Sequence, residues 1–156
     1  MTPKEAYKTC EKQNKRIFEL EKIILRDPEW SYYYAQDIIK GPWEEGESII
    51  INDCEFSYLY ALNIIRGPWF EGEKSIIKDS EFSYLYARNV IKGQWLKGED
   101  SISKNFEFSY WYATIVINKP FEKCHAIIFD SFFKYDYLKF LSLVNYDTTK
   151  ISEWLI

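Results

Sequence analysis

The sequence predicts an all-α protein made of tandem two-helix repeats, about five with a 26-residue period, stacked as an α-solenoid-like array with divergent end caps. The phrase SYxYAxxIIKGPWxEGE returns with few changes at 31–47, 57–73 and 83–99. Within each copy, apolar residues recur at steps of three and four, which is typical of helices and not of strands. The chain is 47% hydrophobic and 19% aromatic, enough to bury a packed core.

Constant spacing between equivalent residues sets the repeat boundaries. Aromatic, tyrosine and alanine positions each recur every 26 residues: Trp30, Phe56, Phe82 and Phe108; Tyr32, Tyr58, Tyr84 and Tyr110; Ala35, Ala61, Ala87 and Ala113. This divides a single predicted repeat domain into an N-terminal capping unit, four repeats, and a decayed fifth copy with its C-terminal cap: 1–26, 27–52, 53–78, 79–104, 105–129 and 130–156. The fifth copy matches after a one-residue deletion.

The first helix of each repeat has a clear predicted start. A capping side chain stands at the same place in four copies: Asp27, Asp53, Asp79 and Asn105. Pro28 suits the first helical position, and Glu29 suits the positive end of the helix dipole. We expect this helix to stop near Gly41, Gly67 and Gly93, because glycine adopts a left-handed cap without strain.

The second helix of each repeat is predicted to open at Pro42 or Pro68. It places Trp43, Gly46 and Ile50 on one face. A glycine inside a helix costs roughly 1 kcal/mol against alanine. We therefore expect a close helix contact, or an aromatic ring over the backbone, at Gly46.

Both ends of the chain are predicted to be atypical capping segments, as terminal units of stacked repeats usually are. Thr2 and Glu5 form a plausible capping box for a helix to about Gln13. At the other end, the segment DTTKISEWLI is predicted to bury its apolar side chains against the last repeat: Ile151, Trp154 and Leu155.

Charge and cysteine content exclude several classes of function. A net charge of −4 and a pI of about 5.2 make direct nucleic-acid binding unexpected, since phosphate neutralisation needs clustered cations. Three cysteines cannot all pair within the chain, which indicates a reducing, cytoplasmic environment. No apolar run approaches 18 residues and the first residues are polar, so neither membrane insertion nor secretion is expected.

The candidate chemical groups are better explained by structure than by catalysis. Glu47, Glu73 and Glu99 recur identically, whereas catalysis needs one distinctive site, so we expect them to bind a tyrosine hydroxyl or a nearby cation. His125 occupies the equivalent position in the fourth copy, and Cys124 beside it should point elsewhere around the helix. We predict no enzyme activity, no metal and no cofactor; the roles of these residues beyond structure stay open.

Comparison among copies separates invariant from variable positions along the first helix. The variable positions share one stripe, here called the variable row, which is partly apolar and edged by polar and cationic side chains. The predicted partner-binding residues are Tyr33, Leu59, Leu62, Leu85, Arg88 and Trp111. The alternative is that a neighbouring helix or the C-terminal segment covers this row. Self-association through it also stays open.

The repeated phrase resembles helical repeats in uncharacterised proteins of large tailed bacteriophages and giant DNA viruses, over roughly residues 27–117. The resemblance implies an accessory viral protein that binds and occludes a host or defence protein in the host cytoplasm.

One alternative function is an acidic mimic of nucleic acid that uses Glu44, Glu45 and Glu71. Another is sequestration of a small ligand between repeats.

Overall fold

The computed structural model describes the backbone of residues 1–154 and the side chains of residues 1–151. Every regular element in that part of the chain is helical, and consecutive helices pack in pairs, which confirms the predicted all-α helical repeat fold. The chain forms two compact units, Met1–Lys78 and a second that begins at Asp79.

The first unit contains three helix pairs. They are α1 (Pro3–Gln13) with α2 (Phe18–Ile24), α3 (Pro28–Tyr34) with α4 (Glu44–Ile50), and α5 (Cys54–Tyr60) with α6 (Phe70–Ile76). Two of the first helices continue without a break as π-helical segments: Ala35–Ile39 after α3 and Ala61–Ile65 after α5. Such wider turns are rare in proteins and are frequent at functional sites.

The second unit repeats this plan and then departs from it. Its helices are α7 (Ser80–Tyr86) with π segment Ala87–Ile91, α8 (Leu96–Ile102), α9 (Phe106–Trp111) with π segment Tyr112–Val116, α10 (His125–Phe129) and α11 (Lys134–Leu143). Short 3₁₀ segments precede α10 at Glu122–Cys124 and end the unit at Thr148–Trp154. Ile151 is fully buried, as predicted. The Trp154 side chain and Leu155 lie outside the described residues.

Each predicted N-cap performs that role. The Asp53 carboxylate accepts a hydrogen bond from the Phe56 N–H at 3.0 Å, and Asp27, Asp79 and Asn105 cap their helices in the same way. Thr2 and Glu5 form the reciprocal capping box of α1. These side chains satisfy N–H groups that a helix start leaves without intrahelical partners.

The predicted glycine caps are wrong by one residue. The left-handed residues are Lys40, Arg66 and Lys92, with φ of 61°, 59° and 58°, and none of the glycines has positive φ. The reason is the π turn: the Lys40 N–H bonds to the Ala35 carbonyl five residues back, and the helix is already closed before Gly41. The second helix then begins at Glu44, so Pro42 lies before it and does not open it.

The leading helix pair shows where the extra residue of each repeat lies. Pro3 and Pro28 start α1 and α3 and are separated by 25 residues, not 26. In α1 the left-handed Asn14 donates to the Cys10 carbonyl four residues back, an ordinary α-helical turn. The 26-residue period is therefore a 25-residue helix pair with one residue added inside the π segment.

Many invariant positions lie in the core, although the invariant Ile39 and its counterparts are half-buried. One tyrosine per copy and one isoleucine per pair are fully buried: Tyr34, Tyr60, Tyr86, Tyr112 and Tyr137; Ile24, Ile50, Ile76, Ile102 and Ile128. Tyr32 and Ala35 are also buried, as the split between invariant and variable positions predicts. The predicted aromatic contact at Gly46 is present, because a Cβ added there would overlap the Trp43 ring.

Candidate functional site

The recurring glutamates belong to a structural hydrogen-bond set between consecutive repeats, here called the clasp. The Tyr60 hydroxyl donates to Glu47 Oε1 at 2.8 Å and accepts the Trp43 N–H at 2.8 Å. Burial, followed by the neighbouring Glu47 carboxylate, raises the pKa of Tyr60 far above its ordinary value, so the hydroxyl keeps its proton. The predicted tyrosine–carboxylate contact is confirmed at Glu47.

Other copies repeat this arrangement. In the second unit Tyr112 donates to Glu99 at 3.2 Å and accepts the Trp95 N–H at 2.9 Å. In the first unit Tyr34 donates to Glu21 at 2.8 Å. The clasp provides a hydrogen-bond partner for the main-chain N–H at the start of a second helix. It also joins that helix to the buried tyrosine of the following repeat.

Burial of these carboxylates also reduces the acidic surface that the sequence suggested. Glu73 is buried and Glu47 is half-buried, so neither contributes a freely solvated charge. Glu44, Glu45 and Glu71 are exposed. Acidic side chains at helix starts stabilise the helix dipole, so their exposure alone does not indicate a nucleic-acid mimic.

The fourth copy replaces the clasp carboxylate with a neutral, buried imidazole. His125 packs against the rings of Tyr137, Phe129 and Tyr146, at centroid distances of 5.4–5.8 Å. Burial lowers the pKa of His125, and burial raises the pKa of the Cys124 thiol to about 12. Both side chains are therefore neutral at pH 7. A neutral thiol is a poor nucleophile, because the reactive form of cysteine is the thiolate. Within residues 1–151, no three His, Cys, Asp or Glu side chains converge as metal ligands would.

The predicted partner-binding residues of the first unit are half-buried. Leu59, Leu62 and Tyr33 are each partly covered. The Tyr33 ring lies 6.4 Å from Phe56 of the following repeat and 6.2 Å from Tyr7 of α1. The first helices of consecutive repeats lie side by side, so a large ring at this position fills part of the space between them.

The predicted residues of the second unit are half-buried or exposed. Leu85 is half-buried, and Trp111 packs 5.9 Å from Tyr84 and 5.8 Å from Phe108. Arg88 is exposed, and its Nη1 lies 3.3 Å from the Tyr84 hydroxyl. Each unit therefore carries a partly apolar surface edged by polar side chains along its first helices.

A cavity of about 570 Å³ lies between the two π-helical segments of the first unit. Its lining includes the polar side chains Gln36, Lys40, Asn63 and Arg66, together with Pro42 and Ile64. Lys40 and Arg66 are the left-handed residues that end the two segments, and both are exposed. The sequence predicted these two residues only as cationic side chains at the edge of the variable row. The cavity was missed because the π turns that shape it were not predicted.

Another exposed apolar set was missed entirely. The first residue of three second helices is a large apolar side chain that is about 70% exposed: Phe18 at 67%, Phe70 at 67% and Leu96 at 71%. The signal was available, because this position is Phe, Glu, Phe and Leu in successive copies and so varies as freely as the variable row.

No protein-family model matches the chain, and comparisons with curated proteins and with solved structures give no match. The described helices are all too short or too polar to cross a membrane.

Proposed function

We propose that the protein is a non-catalytic protein-binding repeat module that occludes its partner with the variable row of its first helices. The observation that carries the proposal is the separation of the two classes of position. The tyrosines that do not vary between copies are buried, except for the half-buried Tyr110, whereas the variable positions are half-buried or exposed. Repeat proteins generally use such a division, with a fixed core and a changeable binding face.

The composition of the variable row supports a protein partner. Tyr33 and Trp111 offer rigid aromatic area, and the half-buried leucines add apolar contact. Aromatic and arginine side chains supply most of the binding energy in protein interfaces, especially with a polar rim around them. Because ring contacts already hold Tyr33 and Trp111, less side-chain freedom is lost on binding.

The resemblance to repeats of large bacteriophages and giant DNA viruses suggests which class of protein is the partner. On that basis we propose a host or defence protein as the target, bound in the host cytoplasm. The neutral state of Cys124 and His125 agrees with a role that needs no reactive group.

The test is affinity capture from host lysate followed by mass spectrometry. We compare the wild type with the triple variant Leu59→Ser, Leu85→Ser, Trp111→Ser and with the milder Arg88→Glu. The matched control is Phe18→Ser, Phe70→Ser, Leu96→Ser, which removes three large apolar side chains from the second helices. Far-UV circular dichroism establishes that each variant is folded.

We expect the variable-row variants to lose a specific partner that the wild type and the control retain. Arg88 is exposed, so the Arg88→Glu variant keeps the core intact. Its result is therefore informative even if the triple variant unfolds. A folded variable-row variant that keeps every wild-type partner would show that this surface is not the binding site.

A further inference from the structure

The cavity between the π segments of the first unit has the chemistry of a site for an anionic group. Lys40 and Arg66 both line it, from the ends of adjacent π segments. Both are held in the left-handed backbone region, which L-residues other than glycine, asparagine and aspartate rarely adopt. Backbone conformations of this kind gather at binding sites, and here two of them present cations to one cavity.

The charge in this cavity is not balanced by the protein. Among the described residues, neither Lys40 nor Arg66 forms an ion pair, and no carboxylate lines the cavity. The Arg66 Nε lies 3.4 Å from the Asn63 carbonyl, which leaves the two terminal nitrogens of the guanidinium for another acceptor. The nearby Asp37 carboxylate instead accepts a hydrogen bond from Tyr7 at 2.6 Å.

The remainder of the lining selects among anions. Ile64 and Pro42 provide apolar contact in the same cavity, and the half-buried Leu62 belongs to the same π segment as Ile64. One or two carboxylates beside an apolar side chain match the two cations and this apolar lining, and 570 Å³ is within the range of ligand cavities.

We infer that this cavity binds an extended acidic segment of a partner protein, with a Glu or Asp carboxylate between Lys40 and Arg66 and an adjacent apolar side chain against Ile64. The inference deepens the proposed protein-binding function and rests on it. Arginine binds a carboxylate in two parallel hydrogen bonds, and the lysine adds a second positive charge.

The second unit supplies an internal comparison. Lys92 is left-handed like Lys40, but the positions that match Asn63 and Arg66 in the fourth copy are Ile115 and Asn118. A single cation beside an exposed isoleucine lacks the paired charge of the first unit. The acidic segment is therefore assigned to the first unit only.

The test uses two blocked tetrapeptides, acetyl-Leu-Glu-Leu-Glu-amide and acetyl-Leu-Gln-Leu-Gln-amide, titrated into the full-length ¹⁵N-labelled protein. We expect the acidic peptide to shift the amides of Lys40, Asn63 and Arg66, and the glutamine peptide to bind at least ~10-fold more weakly. Lys40→Gln and Arg66→Gln should each weaken binding by about tenfold. The charge-matched control Lys22→Gln, exposed on α2, should leave it unchanged.

Three results would overturn the inference: equal binding of both peptides, an equal loss with Lys22→Gln, or stronger shifts of the same amides by inorganic phosphate at matched ionic strength. If the peptide fails to bind while partner capture still depends on Arg88 and Trp111, only this inference fails. If the peptide binds while the variable-row variants keep every partner, only the proposed function fails.

Discussion

The clasp of the first unit and its counterpart at the end of the second use different residues in the same places. The clasp of the first unit consists of Trp43, Gly46, Glu47 and Tyr60. The equivalent residues at the end of the second unit are Phe121, Cys124, His125 and Tyr137. The Tyr137 hydroxyl still accepts the Phe121 N–H at 3.0 Å, just as Tyr60 accepts that of Trp43. The main-chain half of the clasp is thus common to both regions, and the carboxylate half is replaced by a buried imidazole ring.

The substitutions in these two regions compensate each other in volume. The large indole of Trp43 is followed three positions later by Gly46. The smaller ring of Phe121 is followed three positions later by Cys124, which has a Cβ. In the leading unit Ile17 is followed by Leu20 in the same places. Ring size therefore decides whether a Cβ fits beneath it, which explains a glycine inside α4 that intrinsic helix propensity disfavours.

The sharpest way to break this comparison is Gly46→Ala, for which we expect the largest loss of stability. The added Cβ would lie 2.3 Å from a carbon of the buried Trp43 ring, so we expect a loss of about 3 kcal/mol, the upper end of the range for overpacking. Adding Trp43→Phe should recover part of this loss, since Phe121 already lies over a residue with a Cβ. Urea denaturation of the single and double variants measures both effects.

The control for this prediction is Gly41→Ala. An added Cβ at Gly41 meets open space and its φ is not positive, so we expect a change within ~0.5 kcal/mol. Equal losses at Gly41 and Gly46 would show that contact with the Trp43 ring does not determine the cost of alanine at Gly46.

Removing the clasp hydroxyls should have the next largest effect and should differ between the two regions. Tyr60→Phe leaves both the buried Trp43 N–H and the Glu47 carboxylate without this partner, which we expect to cost about 2–3 kcal/mol. Tyr137→Phe removes only the bond from the Phe121 N–H and should cost about 1 kcal/mol.

Tyr135→Phe serves as the control for both, because Tyr135 is 79% exposed and its hydroxyl should contribute almost nothing. The three unfolding midpoints are compared under the same conditions. A loss at Tyr137 as large as that at Tyr60 would show that the carboxylate half of the clasp is energetically unimportant.

The left-handed helix ends should give a smaller effect of opposite sign. Lys40→Gly removes backbone strain of about 1–2 kcal/mol and adds chain entropy of about 0.5–1 kcal/mol to the unfolded state, for a net gain near 0.5 kcal/mol. Asn118→Gly should gain less, since asparagine tolerates this conformation better. Thermal unfolding measures both variants.

The same Lys40→Gly variant should bind the acidic tetrapeptide more weakly while it unfolds at a higher temperature. An increase in stability with unchanged peptide binding would contradict the role of Lys40 in the proposed site. A loss of stability would mean that the lysine side chain contributes more than the strain removes.

The smallest effect should be a pH dependence that arises from His125. Burial lowers its folded-state pKa below the ordinary 6.5, so as the pH falls through 6.5 the unfolded chain takes up a proton before the folded protein does. Stability should therefore decrease as the pH falls below about 6.5, by at most ~1.4 kcal/mol per pH unit. Glu122 opposes part of this shift.

His125→Gln should flatten this dependence between pH 7.5 and 5.5, whatever its effect on absolute stability. Denaturant midpoints across that range measure the two slopes. Equal slopes for the wild type and the variant would place the pH sensitivity elsewhere. A steeper loss in the variant would contradict the lowered pKa.

Much of the fold was predictable because its determinants are local and repeated. The N-caps at Asp27 and Asp53, the burial of Tyr32 and Ala35, and the tyrosine partner of Glu47 all followed from spacing among copies. A single copy would have given a weaker prediction. Comparison of copies shows which side chains stay constant because the stack surrounds them.

The candidate site was less predictable. The six partner-binding residues stay a prediction, and their half-burial depends on how closely adjacent first helices pack. The cavity beside them depends on π turns, which a pattern of apolar residues at steps of three and four does not distinguish from α turns. The exposure of Phe18 and Phe70 was not predicted, because the variable row lies on the first helices and these residues begin second helices.

The sequence by itself determined the helix pairs, their period and the side chains that join them, because each of these follows from contacts repeated along the chain. Only the tertiary structure decided that the added residue of each repeat enters a π turn and that Lys40 and Arg66, not the glycines after them, become left-handed. The physical reason is that the backbone must accommodate the extra residue between two packed ends, Ala35 on one side and Trp43 on the other. That choice belongs to the packing and not to local propensity.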